Sequence, residues 1–263
     1  MRNVEVINHG IVPIAEGHIW NSKNKIIYGP IVSRRLRYSL GINLFPIFKI
    51  CSFNCVYCDM GKTSPSVVKQ IEFQKGVIPG KKIVKEIQKS LVYHKDKGTM
   101  IDYITICGNG EAMLHPDFIE ISKKLVKLRY EIFPEKPLAI LTNSYNVFKP
   151  EFIPEIEKFD EKIYKLDAGD EETFRKINHP VFKNIDFQNI VEGLANLKGI
   201  KISTAVVDAP DYSNIPSLEG GYIDIIKRIE PIEIQLHNID YPVFENDNSI
   251  RRLGVEDLTE LGY

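Results

Sequence analysis

Ser39-Leu40-Gly41-Ile42-Asn43-Leu44-Phe45, followed five residues later by Cys51-Ser52-Phe53-Asn54-Cys55-Val56-Tyr57-Cys58, is a strand-length apolar run that delivers three thiols into one loop. Spacings of three and then two residues let a short loop wrap its thiols around one metal centre. Thiolates are soft ligands suited to iron-sulfur sites, and three of them on a cubane of four irons leave one iron without a protein ligand. That open corner is where a substrate or cofactor binds, by the logic that gives catalytic zinc a vacant position. A zinc site and a closed electron-transfer cluster are the alternatives, and each needs a fourth ligand. The remaining cysteine, Cys107, ends an apolar run, where small buried cysteines are common. Four cysteines are too few for a disulfide scaffold in a chain of 263 residues, and their clustering points to metal binding in a reducing compartment.

Outward from this loop, β-branched apolar runs alternate with amphipathic stretches, the pattern of parallel strands joined by crossover helices. Strands are expected at 39–45, 101–107, 137–141, 162–167, 201–207 and 232–236. Helices are expected at 81–93, 116–129, 150–158, 187–197 and 218–229, with Pro116 and Pro150 in first turns. Six βα units predict an α/β fold, an incomplete (β/α)6 TIM-type barrel. A curved sheet brings the segments after successive strands to one mouth, whereas a flat sheet spreads them along a line. Residues 1–28 read as an N-terminal cap, an extension or an extra strand pair, and 29–263 as the main domain. The chain is 43% hydrophobic and 26% charged, enough for one continuous core. A net charge of -1 gives no broad positive field for nucleic acid or acidic membranes. The absence of a long apolar run and of a secretory signal predicts a cytoplasmic protein.

After the second strand, Gly108-Asn109-Gly110-Glu111 combines two glycines, which let the backbone turn and approach a ligand, with a carboxylate suited to an ammonium group. The alternative is an ordinary turn with a solvated glutamate. Strand three ends at Leu141-Thr142-Asn143 and strand four at Lys165-Leu166-Asp167. Lys165 alternates to the same side as Asp167, either as the partner of a bound carboxylate or in a salt bridge. Ahead of the first strand, Arg34, Arg35 and Arg37 form either a solvated edge or a carboxylate or phosphate contact.

The Cys51–Cys58 segment, with Tyr57 directly before the last cysteine, resembles the C-x3-C-x2-C signature of the radical S-adenosyl-L-methionine (SAM) superfamily. The resemblance implies that Cys51, Cys55 and Cys58 hold a 4Fe-4S cluster whose open iron is chelated by SAM. Reductive cleavage of SAM then gives a 5′-deoxyadenosyl radical that abstracts hydrogen from a substrate. It further implies cofactor-binding roles for Tyr57; for Gly108, Gly110 and Glu111, similar to the family's GGE-type segment for the methionine ammonium; for Asn143, similar to its TN element; and for Asp167, similar to its acidic position on the ribose hydroxyls.

Tyr28-Gly29-Pro30, Ser33-Arg34-Arg35, Leu40–Asn43, Leu166–Phe174 and Gln235-Leu236 resemble a branch of uncharacterised single-domain proteins related to the radical SAM domain of tRNA-wyosine synthases. Those enzymes carry further N-terminal cysteines, and here none precedes Cys51. Together with the near-neutral charge, this departure does not support tRNA as substrate. The expected partners are SAM, a reductant such as flavodoxin or ferredoxin, and a nucleoside, peptide or protein substrate, without a membrane. The competing class is an iron-sulfur electron-transfer or regulatory protein without SAM turnover. The segment from Asn238 to Tyr263, with Asp240, Tyr241, Arg251 and Arg252, is expected to help close the mouth.

Overall fold

A computed structural model describes residues 4–6, 25–63, 77–239, 249–251 and 253–261. In chain order the elements are β1 (Val4–Val6), β2 (Ile27–Ser33), β3 (Arg37–Ile42), α1 (Gly80–Asp96), β4 (Tyr103–Ile106), α2 (Phe118–Ile132), β5 (Leu138–Thr142), α3 (Ile153–Ile156), β6 (Glu161–Lys165), α4 (Glu171–Asn178), α5 (Phe187–Ala195), β7 (Lys201–Ala205), β8 (Asp208–Ala209), β9 (Tyr212–Ser213), α6 (Ile215–Glu219), α7 (Gly221–Ile229), β10 (Glu233–His237) and α8 (Val255–Leu261). A 3-10 turn, Ala112–Leu114, follows β4.

Among the described residues eight strands form one sheet in the order β1-β10-β7-β6-β5-β4-β3-β2. Every neighbouring pair is parallel except β2 with β3. Among the described residues the outermost strands, β1 and β2, do not pair with each other, so the barrel is incomplete. Its six central strands are the six expected ones, displaced by at most three residues at either end. Of the N-terminal region, Val4–Val6 extends the sheet beside β10, while β2 crosses residue 28 and pairs with β3; residues 7–24 lie outside the described residues.

The helices differ more from expectation. Pro116 precedes the cap of α2, which begins at Phe118 with Asp117 at its N-cap. Around Pro150 the chain turns irregularly, and α3 begins only at Ile153, with Pro154 in its first turn. The single helix expected at 218–229 is two, broken at Gly220. Helix α4 was not among those expected, although its capping is local. Asp170 accepts the Thr173 amide at 2.7 Å, Glu171 and Glu172 occupy the positive first turn, and Arg175 and Lys176 the negative last one.

Alternation along each strand separates two kinds of surface. Outward-facing Leu40, Ile42, Ile104, Ile106, Leu138, Ile140, Ile202 and Ile234 join the apolar faces of the helices in the main core. In α1 that face is Ile83, Ile87 and Leu91, spaced by four residues and fully buried. The inward-facing residues are largely polar. Near the N-terminal ends of the strands, Leu36, Ala139 and Ile163 pack together. Lys201 bridges Glu161 at 2.9 Å and Glu233 at 2.6 Å, tying β6, β7 and β10 across the floor of the barrel. Higher up, Lys165 Nζ lies 3.4 Å from His237 Nε2, although β7 separates their strands. A flat sheet would set those strands roughly 10 Å apart, so this contact shows inner-face side chains converging. Among the described residues no helix is long and apolar enough to cross a membrane.

His237 is buried, which lowers its pKa well below the ordinary histidine value, and the positive charges of Lys165, Arg35 and Arg34 lower it further. The native imidazole therefore stays neutral while the unfolded one takes up a proton near pH 6.5. Below that pH the unfolded state binds more protons, so His237 makes the protein progressively less stable as pH falls. Chemical denaturation at pH 7.5 and pH 5.5 should show a smaller acid-induced loss in His237→Gln than in the parent chain; equal losses would remove His237 as the responsible group.

Candidate functional site

The cysteine loop has little regular structure, and its place is set by segments that follow other strands. On one side Ile50 exchanges backbone bonds with the segment after β4: its amide donates to Asn109 O at 3.0 Å and its carbonyl accepts from the Glu111 amide at 2.8 Å. Only glycine fits at 110. Its φ is +139°, and a Cβ there would run into the Ile50 carbonyl. On the other side the amides of Asn54 and Val56 donate to the carbonyls of Asn178 (3.1 Å) and Ile177 (2.9 Å), satisfying acceptors at the end of α4 that have no partner within the helix. Phe53 packs edge-on against Phe174 of α4, with ring centroids 5.4 Å apart. Thr63 staples the loop: its hydroxyl accepts the Cys51 amide at 3.1 Å, and its backbone forms a two-way pair with the Asn54 side chain at 2.7 and 3.0 Å.

Each of the three sulfurs meets a side-chain nitrogen donor, and each of these donors comes from a different place; Cys51 also accepts from the Phe53 amide. Asn143 Nδ2, after β5, lies 3.3 Å from Cys51 Sγ and also donates to Ser52 Oγ at 2.8 Å. Asn178 Nδ2, in the last turn of α4, lies 3.4 Å from Cys55 Sγ. Lys49 Nζ lies 3.2 Å from Cys58 Sγ and donates to the Gly61 carbonyl. Burial pushes the Cys51 thiol up to about 12, against the pull of Lys49, and raises Cys55 as well. Burial lowers Lys49, but attraction to Cys58, Cys51 and Cys55 outweighs it and leaves the ammonium raised.

Sequence reasoning singled out Asn143 but neither Lys49 nor Asn178. Lys49 lies two residues before the first cysteine, so an ammonium next to a thiol cluster was a legible signal. Asn178 is 123 residues from Cys55, and nothing local points to it.

Gly108 and Glu111 share a buried polar knot. A Cβ at Gly108 would strike the Asn43 side chain, whose carbonyl oxygen accepts the amides of Phe45 (3.0 Å) and Asn109 (3.1 Å). Glu111 is 1% exposed, which rules out a solvated turn glutamate. Its Oε2 accepts from the Asn143 amide (2.7 Å) and the Thr142 hydroxyl (3.0 Å), and its Oε1 accepts from the Met113 amide (3.1 Å). Three of the four acceptor positions of a carboxylate are filled, leaving one on Oε1. Burial raises the carboxyl above its usual range, opposed by these amides.

Asp167 turns toward the same loop. The Tyr57 hydroxyl and Asn178 Nδ2 (2.8 Å) donate to Oδ2, while the Ala205 amide (2.8 Å) and Lys165 Nζ (2.9 Å) donate to Oδ1. All four acceptor positions are thus occupied. Lys165, read earlier as either a carboxylate partner or a salt bridge, forms the salt bridge, and its Nζ stands 4.8 Å from the centre of the Tyr57 ring. Cys107 is on the inner face just after β4, where its carbonyl accepts the Tyr28 hydroxyl at 3.0 Å. Arg34 and Arg35 lie in the β2–β3 turn, while Arg37 begins β3 and is exposed with φ +49°. Of the C-terminal residues expected at the mouth, Arg251 pairs with Asp208 at 2.7 Å; Asp240, Tyr241 and Arg252 lie outside the described residues.

Comparison with known proteins joins this geometry to a family. A protein from Brachyspira hyodysenteriae named GTPase Obg is 34% identical over 81% of this chain, which spans 30% of that protein's length. A UPF0026 protein of Helicobacter pylori strain J99 is 30% identical over 82% of the chain and 67% of its own length. A solved structure described as TYW1 with a lysine-pyruvate adduct bound has the same fold: the TM-score is 0.53 at 17% identity, covering 85% of this chain and 71% of that one. The family model of the radical SAM superfamily, whose members use a 4Fe-4S cluster and SAM, matches residues 45–210 and includes all three cysteines of the loop. The chain belongs to the radical SAM superfamily.

Proposed function

We propose that Cys51, Cys55 and Cys58 hold the 4Fe-4S cluster and that the surrounding strand ends bind SAM, making this chain an enzyme that abstracts hydrogen from a substrate. The observation that carries this reading is the donor set: three thiols of one loop, each met by its own nitrogen donor, fit an iron-sulfur cluster. When bound, the cluster supplies the electron that cleaves SAM to methionine and a 5′-deoxyadenosyl radical, which removes a hydrogen atom from the substrate. Electrons come from a flavodoxin- or ferredoxin-class reductant. The substrate is a nucleoside, a peptide or a protein.

The chain's own residues bind and orient. Glu111 offers its remaining acceptor position on Oε1 to the methionine ammonium, while its other three bonds hold it against β5. Gly108 and Gly110 leave the backbone beside it without side chains. Asn143 has two functions, since its amide fixes Glu111 and its side chain meets Cys51. Asp167 and Tyr57 serve the cofactor by setting the rim of the loop. A ribose hydroxyl reaches Asp167 only by displacing Lys165, Tyr57, Asn178 or the Ala205 amide.

Anaerobic reconstitution with iron and sulfide, followed by reduction in the presence of SAM, should release 5′-deoxyadenosine. A cluster that forms but leaves SAM intact would instead favour the electron-transfer class. Alanine at Cys51, Cys55 or Cys58 should abolish both cluster and cleavage, whereas Cys107→Ala should keep both. An active cluster in Cys55→Ala would overturn the ligand assignment.

Glu111→Ala should keep its iron and sulfide content and lose about one to two decades of SAM affinity, the size of a hydrogen bond to a charged group, on the order of 1.5 to 3 kcal/mol. Equilibrium dialysis with labelled SAM measures this, and unchanged affinity in a folded variant would confine Glu111 to a structural role.

A further inference from the structure

We propose that Lys49 is a positioning residue that sets the reduction potential of the cluster by holding a fixed positive charge against Cys58; this rests on the reading that the three cysteines hold a 4Fe-4S cluster. The three sulfurs are not equivalent. Cys51 and Cys55 meet neutral amides, at 3.3 Å from Asn143 and 3.4 Å from Asn178, whereas Cys58 meets an ammonium at 3.2 Å. Hydrogen bonds to sulfur and nearby charge are the protein's means of setting cluster potential, and a full charge acts more strongly than an amide dipole.

The placement of Lys49 is built into the loop. The residue is only 8% exposed, so solvent and salt screen its charge weakly. A second bond to the Gly61 carbonyl fixes the ammonium, and the Lys49 carbonyl accepts from Thr63, the residue that also staples Cys51 and Asn54. The segment that supplies the thiols thus supplies their counter-charge.

The electron balance gives the direction of the effect. Three thiolates around an oxidised cluster carry a net negative charge, and reduction adds one more electron from the external reductant. Lys49 transfers neither proton nor electron. Its charge offsets the added negative charge and favours the reduced state, so its loss moves the midpoint to more negative potential.

The test is an EPR-monitored redox titration of the cluster-loaded, SAM-free protein, with dithionite and mediators. Lys49→Met should lower the reduced-to-oxidised ratio at a given poise by on the order of tenfold, about 59 mV for one electron. Lys49→Arg, which keeps the charge, should stay near the parent value. If Lys49→Met fails to hold a cluster, Lys49→Gln against Lys49→Arg gives the same comparison. A parent-like midpoint in the uncharged variant, or an equal negative shift in Lys49→Arg, overturns the proposal. A parent protein that shows no 4Fe-4S signal after reconstitution instead overturns the cluster reading, and this inference with it.

Discussion

A buried carboxylate must find a donor for each of its lone pairs, because an ionised group left unpaired inside a protein costs several kcal/mol. Asp167 meets that requirement by drawing on four separate segments: the cysteine loop through Tyr57, the end of α4 through Asn178, the top of β6 through Lys165 and the end of β7 through the Ala205 amide. Two of these partners lead straight to the cysteine loop. Asn178 also donates to Cys55, and Tyr57 lies between Cys55 and Cys58 in the chain. The geometry of the thiols is therefore tied to a carboxylate that none of them touches, and removing one partner of such a buried charge typically costs about 3 to 5 kcal/mol.

Glu111 does the same for the other half of the site. Its amide accepts no freedom of register, being bonded to Ile50, and its carboxylate gathers Thr142, Asn143 and Met113. Between them the two acids connect the ends of four successive parallel strands through their side chains, and the cysteine loop is fastened to both. This explains how a loop with almost no ladder of its own presents three sulfurs in a defined arrangement.

The strands were legible because their physics is local. The apolar run of Leu138–Thr142 and the alternation of Lys201–Ala205 mark strands, and both patterns are present in the sequence of the strand itself. The thiol spacing is local too. The second layer of the site was not, because Asn143 meets Cys51 across 92 residues and Asn178 meets Cys55 across 123. The role read for Asp167 came from its strand-end position; of the four donors that meet its carboxylate, Lys165 lies two residues away and was readable as a salt-bridge partner, whereas Tyr57, Asn178 and the Ala205 amide come from other elements. Helix α4 is the contrary case, since its cap and charge order were readable from Asp170 to Lys176 and were obscured only by the shortness of the helix.

The two glycines beside Glu111 lack side chains for different reasons, and the difference has a genetic consequence. What blocks a Cβ at Gly108 is the Asn43 side chain from its Cβ outward; what blocks it at Gly110 is the carbonyl of Ile50, which every residue possesses. Damage at the first position is open to suppression only by a second substitution that removes the Asn43 side chain altogether, to glycine. At the second no single compensating substitution removes the obstacle, so that locus admits no neutral neighbour in sequence space, and lineages that drift around the site must do so with Gly110 in place.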